Sequence, residues 1–154
     1  MSLFGIPKPV TVSVHVPLRR SDVYEFLAVM ANHEPFTDHM LTDWRYEGPP
    51  SGVGSKARVT TKVGAITDQA EIEVVEVKAD RRIRERNVSA KGKRVAFGTY
   101  ELTDLPGERT CIAFTFALEQ APAAERALGP LVRATIRRGN QKAMHRLAQQ
   151  LTAT

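Results

Sequence analysis

The sequence predicts an α+β fold: a seven-stranded antiparallel sheet wrapped around one long C-terminal helix, with two short helices after the first strand. Three observations carry this. Residues 9–16 alternate strictly, with Val10, Val12, Val14 and Val16 on one side and Thr11, Ser13 and His15 on the other. From Thr42 to Glu119 the chain reads as strand after strand, separated by short turns rich in Gly and Pro. From Gly129-Pro130 to Thr152 the apolar residues take helical spacing. Leu128, Val132 and Ile136 form one diagonal and Gly139, Ala143, Leu147 and Leu151 the next. Arg133, Arg137, Arg138, Gln141, His145 and Gln149 fall on the other side. Such a helix is ~34 Å long at ~1.5 Å per residue, enough to cross a small domain.

The elements follow in order. Pro17 ends the first strand, and Ser21 has the character of an N-cap with Asp22 at the positive end of the helix it opens. Val23, Phe26, Leu27 and Met30 share one face of that helix, and Asn32 is a natural stop. Pro35 opens a second short helix whose inner face carries Phe36, His39 and Met40. A second strand, Thr42 to Tyr46, carries Trp44. The stretch from Glu47 to Ser55 is a loop with two Pro and three Gly. Its Gly52-Val53-Gly54 lacks both the third glycine of a dinucleotide fingerprint and the Gly-Lys-Ser/Thr of a nucleotide loop, so it reads as a turn requiring positive φ. Strands are expected at 55–63, Ile66–Lys78, 82–90, Val95–Thr103 and 110–119, with a tight turn at Gly64-Ala65 and a hairpin turn at Leu105-Pro106-Gly107-Glu108. In the last strand Ile112, Phe114, Phe116 and Leu118 are expected to face inward; in the sixth neither face is clearly the apolar one. Pro122 to Ala127 is a linker or helical lead-in, and Pro130 suits the first turn of the long helix.

With 154 residues the chain is expected to be a single domain, 1–154, with 42% hydrophobic and 25% charged residues. Cys111 is the lone cysteine, so no disulfide forms within the chain. No apolar run approaches the ~20 residues of a membrane span, and the first residues lack a signal-peptide pattern. The expected location is cytoplasmic. The formal net charge is +5. No run reaches five like charges and no nucleic-acid motif is present, so the expectation is a solvated basic surface with a distributed excess and no specific nucleic-acid partner.

The first valine strand leading into Ser21-Asp22-Val23-Tyr24-Glu25-Phe26, the Pro50-Ser51-Gly52-Val53-Gly54-Ser55 loop, the run Arg81-Arg82-Ile83-Arg84-Glu85-Arg86 and the terminal amphipathic helix occur in an order that resembles the START/Bet v 1-like superfamily. More narrowly it resembles the polyketide cyclase/dehydrase-type SRPBCC proteins. The resemblance runs from Val10 to Leu151 and implies a helix-grip fold with a cavity between sheet and last helix. Members bind lipids, sterols, plant hormones, polyketides or quinones, and some catalyse cyclisation or dehydration. They share no catalytic motif, so the resemblance supplies no catalytic residue. It implies a small hydrophobic ligand as partner, no cofactor, and a monomer or homodimer.

Within that picture Gly139 is the most informative residue. A mid-helix glycine costs roughly 1 kcal/mol relative to Ala. Either a strand side chain packs on its backbone or the missing side chain leaves room for a ligand. The expected ligand-binding residues are Phe36, His39, Trp44, Tyr46, Arg58, Tyr100, Phe114, Phe116, Val132, Ile136, Gly139 and Ala143. Tyr46 and Tyr100 would bring hydroxyls to a polar ligand end. Alternation would turn some of Arg58, Glu71, Glu85 and Asn87 inward, where a charge needs a partner. If the protein is an enzyme, His39, Tyr100 and Glu71 are the acid–base candidates. His33, Asp38 and His39 do not have metal-ligand spacing, so capping and surface roles are expected of them and no metal.

Overall fold

The computed structural model describes residues 5–63 and 66–153. Seven strands form one sheet: β1 (Val10–Val16), β2 (Leu41–Glu47), β3 (Lys56–Val63), β4 (Ile66–Lys78), β5 (Arg82–Ser89), β6 (Arg94–Leu105) and β7 (Arg109–Gln120). Their spatial order is β1-β7-β6-β5-β4-β3-β2, every neighbouring pair antiparallel. Strands β2 to β7 form a meander, and β1 closes onto β7. The helices are α1 (Arg20–Ala28), α2 (Glu34–Thr37), α3 (Ala123–Ala127) and α4 (Gly129–Thr152), with a tight 3-10 turn, Met30–His33, between α1 and α2. This is the helix-grip fold. Among the described residues no helix is long and apolar enough to cross a membrane. The tight turn expected at Gly64-Ala65 lies outside the described residues.

Register fixes which side chains look inward, because residues opposite one another in an antiparallel ladder share a face. One row across the inner face is Val74, Glu85, Gly98, Phe116 and Val10; the next is Val77, Ile83, Tyr100, Phe114 and Val12. In β6 the even-numbered residues Ala96, Gly98, Tyr100 and Leu102 therefore point in, while Phe97 lies outside beneath the Arg84 guanidinium, 4.0 Å from its ring centre. The sequence is ambiguous there because Gly98 removes a side chain from the inner face. Phe114 takes the space: a Cβ on Gly98 would stand 2.8 Å from its ring.

Ser21 is not the N-cap of α1. The helix starts at Arg20, and no side chain caps it. The loop from Glu47 to Ser55 is a turn system as expected, with φ of +83° at Gly52 and +95° at Gly54. It is pinned to the helical segment by the bond from the Met30 amide to the Pro50 carbonyl, 3.2 Å.

The long helix departs from a uniform grip. Its second half enters the core through Ala143, Met144 and Leu147. In its first half Val132 and Ile136 are only half-buried, and Leu131 is 62% exposed. Leu128, expected on the apolar stripe, precedes the helix and is 54% exposed. Arg133 and Arg137, expected to face solvent, instead reach β1 and the two residues before it. Arg133 donates to the carbonyls of Lys8 (3.1 Å) and Pro9 (3.2 Å), and Arg137 to that of Thr11 (3.3 Å). Since β1 is an edge strand, these arginines cover main-chain acceptors that would otherwise stay unpaired.

Candidate functional site

Among the described residues the inner face of the sheet carries one buried carboxyl group. Glu85 sits on it beside Gly98 and is 5% exposed. Burial alone pushes its carboxyl up to about 8, so it is largely protonated at neutral pH. His33, 3% exposed, faces it with Nδ1 3.6 Å from Glu85 Oε2. The 3-10 turn holds the imidazole through a 2.7 Å bond between Nε2 and the Leu27 carbonyl. A carbonyl only accepts, so Nε2 carries the proton and Nδ1 presents a lone pair to Glu85. Desolvation depresses the His33 pKa to about 4, against the raising effect of that backbone bond. The spacing is that of an ion pair, but burial favours the neutral form of both partners, one proton residing on the carboxyl. Three rings enclose the pair. The His33 ring lies 5.3 Å from Phe36 and 5.5 Å from Tyr100, and Tyr100 lies 4.6 Å from Phe114. Burial, and secondarily the Glu85 charge, hold the Tyr100 hydroxyl well above the usual phenol range.

Other polar atoms inside lack a protein partner. Oε2 of Glu85 on β5, Nδ2 of Asn140 on α4 and Nε1 of Trp44 on β2 are each buried without a hydrogen bond. Asn140 lies one turn before Ala143 and Met144 on the sheet-facing side of α4. Such orphans are uncommon in folded proteins, and a group that enters the interior is one explanation for them. Above the cluster the inner face opens. Asn87, Phe116 and Leu118 of the sheet and Val132 and Ile136 of α4 are all only half-buried, so the first half of the helix covers the sheet less completely than its second half does. Two surface recesses of the structure lie away from this stretch: one of about 450 Å³ beside Arg20, Arg82 and Asp104, another of about 630 Å³ along the outer side of α4.

The expected site residues divide into five groups, the last of them His39 and Gly139. Phe36, Tyr100, Phe114 and Phe116 come together on the inner face around His33 and Glu85. Val132 and Ile136 lie half-buried on the less covered stretch, and Ala143 is core. Trp44 and Tyr46 stack at 5.9 Å, and the Tyr46 hydroxyl donates to Glu34 at 2.5 Å. Burial and the Glu34 carboxylate raise the Tyr46 pKa. Arg58 and Glu71 are not inside. They are opposite one another on the outer face, 3.7 Å apart, and Arg58 also meets Glu47 at 3.6 Å, because Ala57, Val59 and Ile72 take the inner positions.

His39 is tied down rather than presented to a cavity. Nδ1 accepts from Arg146 at 3.1 Å and Nε2 donates to the Gly139 carbonyl at 2.9 Å, so both ring nitrogens join the end of α2 to the middle of α4. Arg146 also pairs with Asp38, whose carboxyl it holds below the usual range, chiefly through that hydrogen bond. Gly139 serves the same junction: a Cβ there would lie 2.6 Å from Met40 Sδ. The close approach thus comes from the turn after α2 and not from a strand.

His33, Glu85 and Asn140 are the residues that the expected set of site residues omits. For Glu85 the signal existed, since alternation puts it on the face of Ile83 two residues earlier. Nothing local marks His33 as buried.

The pattern of the family described as polyketide cyclase / dehydrase and lipid transport matches residues 8–152. The chain belongs to this family. No curated protein sequence matches it. Solved structures share the fold at low identity. The Thermus thermophilus protein TTHA0849 is 17% identical with a TM-score of 0.75, over 93% of this chain and 96% of its own. Major latex-like protein 151 of Panax ginseng is 10% identical with a TM-score of 0.75, over 97% of this chain and 100% of its own. DynU16, from the dynemicin biosynthetic locus, is 22% identical with a TM-score of 0.64; the match takes 94% of this chain and 47% of DynU16.

Proposed function

We propose that the protein binds an amphipathic small molecule, of lipid, polyketide, quinone or aromatic-metabolite type. Its apolar body would lie in a trough opened between the first half of α4 and strands β5 to β7, and its polar end would point toward Glu85. The observation that carries this reading is a carboxyl buried on the inner face with Oε2 lacking a hydrogen bond, a setting that favours its protonated form. Burying such a group is costly, and a ligand oxygen accepting its proton would offset the cost. Family membership agrees with the ligand class. The test is a titration with anilinonaphthalene sulfonate and displacement by oleate. Wild-type protein should bind saturably, while Ile136→Trp and Leu118→Trp, which fill the trough, should lose binding but keep their melting temperature. Equal binding by both variants would contradict the placement.

A second reading, cyclase or dehydratase chemistry, is favoured by the same pair. Glu85 can donate a proton to a ligand carbonyl while the His33 lone pair stands ready beside it. On this reading Glu85→Gln abolishes turnover of a polyketide substrate and leaves dye binding intact; turnover that survives in Glu85→Gln would refute it.

A further inference from the structure

The excess positive charge of the chain is not distributed. Helix α4 contains five Lys and Arg residues and no Asp or Glu, and the chain's net charge is +5, so the remaining residues balance. Arg133 and Arg137 are bonded to the main-chain carbonyls of Lys8, Pro9 and Thr11, which leaves their charge uncompensated, and Arg146 pairs with Asp38. Among the described residues Arg138 and Lys142 form no salt bridge, although Asp38, already paired with Arg146, lies near Lys142; both cations are exposed on the outer side of the helix. Leu131 stands on that same side, about two and three turns before them. With Leu128 it places two large apolar side chains in water at the start of α4.

A third lies at the same end of the molecule. Ile66, at the start of β4, is 70% exposed. Two residues on, Asp68 contacts Arg94 at 3.4 Å, and Arg94 pairs with Glu125 of α3, three residues before Leu128. One end of the protein therefore presents exposed Ile66, Leu128 and Leu131, and the cations follow along the helix.

We propose that the outer face of α4, with these three apolar residues, docks on an anionic lipid bilayer. Cations at headgroup level beside apolar side chains that enter the interface are what such a surface recognises. Nucleic acid or an acidic protein would account for Arg138 and Lys142, but neither calls for three large aliphatic side chains held in water. The surface is independent of the proposed inner trough and of what binds there.

The test is co-sedimentation of the full chain with vesicles of phosphatidylcholine alone and of phosphatidylcholine mixed with phosphatidylglycerol. Binding is expected only to the mixed vesicles and should weaken as salt is raised. Each basic side chain near an anionic leaflet contributes about fivefold in partitioning, so reversing both charges in Arg138→Glu/Lys142→Glu should reduce binding by more than about 25-fold. Leu128→Ser/Leu131→Ser should weaken binding even at low salt. These positions are exposed, and circular dichroism melts establish that each variant is folded. Failure to sediment with the mixed vesicles at low salt would overturn the proposal, as would undiminished binding by the charge-reversed variant. If the Leu→Ser variant binds like wild type, and a DNA duplex competes, the face is a general polyanion site and the lipid assignment is wrong.

Discussion

His33 Nδ1 lies 3.6 Å from Glu85 Oε2, both side chains buried against the rings of Phe36, Tyr100 and Phe114. Because the Leu27 carbonyl fixes the imidazole proton on Nε2, one further proton serves the pair, and burial places it on the carboxyl. This arrangement has a signature in stability against pH. Unfolded, Glu85 titrates near 4.5 and His33 near 6.5; folded, they titrate near 8 and 4. From about 6.5 to 8 the folded protein holds a proton that the unfolded chain has lost, so stability falls as pH rises. Between about 4.5 and 6.5 each state holds one proton, and the contributions cancel. The alkaline loss should be about 2 kcal/mol. In Glu85→Gln it should vanish, with stability rising up to about 6.5 as the unfolded His33 deprotonates and level above that. Thermal melts across this range check it; an unchanged alkaline slope in Glu85→Gln would place the proton elsewhere.

Gly139 and Met40 should behave as a coupled pair. Gly139→Leu forces a side chain onto the Met40 thioether and should cost roughly 1–3 kcal/mol, the usual range for overpacking. Met40→Ala should recover much of that loss. Gly139→Ala should be close to neutral, since helix propensity gains ~1 kcal/mol while a flexible side chain gives way. Denaturant midpoints of the wild type, Gly139→Leu, Met40→Ala and the double variant measure the coupling.

His39→Ala releases the junction of α2 and α4. It should lower stability by about 1–2 kcal/mol while leaving the alkaline slope of Glu85 in place. Loss of dye binding in this variant, with the fold intact, would return His39 to the site.

Arg133→Ala/Arg137→Ala strips the cover from the β1 edge. Monomer stability should change little, and aggregation on warming should accelerate, because unpaired strand carbonyls are templates for a second chain. Light scattering during a thermal ramp reads the effect.

Much of this architecture is legible in the sequence. The valines of β1, the aromatics of β7 and the apolar spacing of α4 each declare one buried face, and their order defines the fold. What is not legible is where an element meets something remote in sequence. Gly139 announces a close approach but not its partner, since Met40 is ninety-nine positions earlier. Arg133 and Arg137 read as solvated because nothing in the helix itself tells of a neighbouring sheet edge. The site suffers most. Alternation offers Arg58, Glu71, Glu85 and Asn87 alike as inward candidates, and only the register of the folded sheet separates them, with Arg58 and Glu71 outside and Glu85 inside.

Native mass spectrometry of the freshly purified protein bears most directly on the central claim, that the interior beside Glu85 receives an amphipathic small molecule. The prediction is a population carrying an added small-molecule mass that is released on denaturation and is absent from Ile136→Trp. A bare mass for the wild type, together with no thermal shift from oleate or anilinonaphthalene sulfonate, would contradict it.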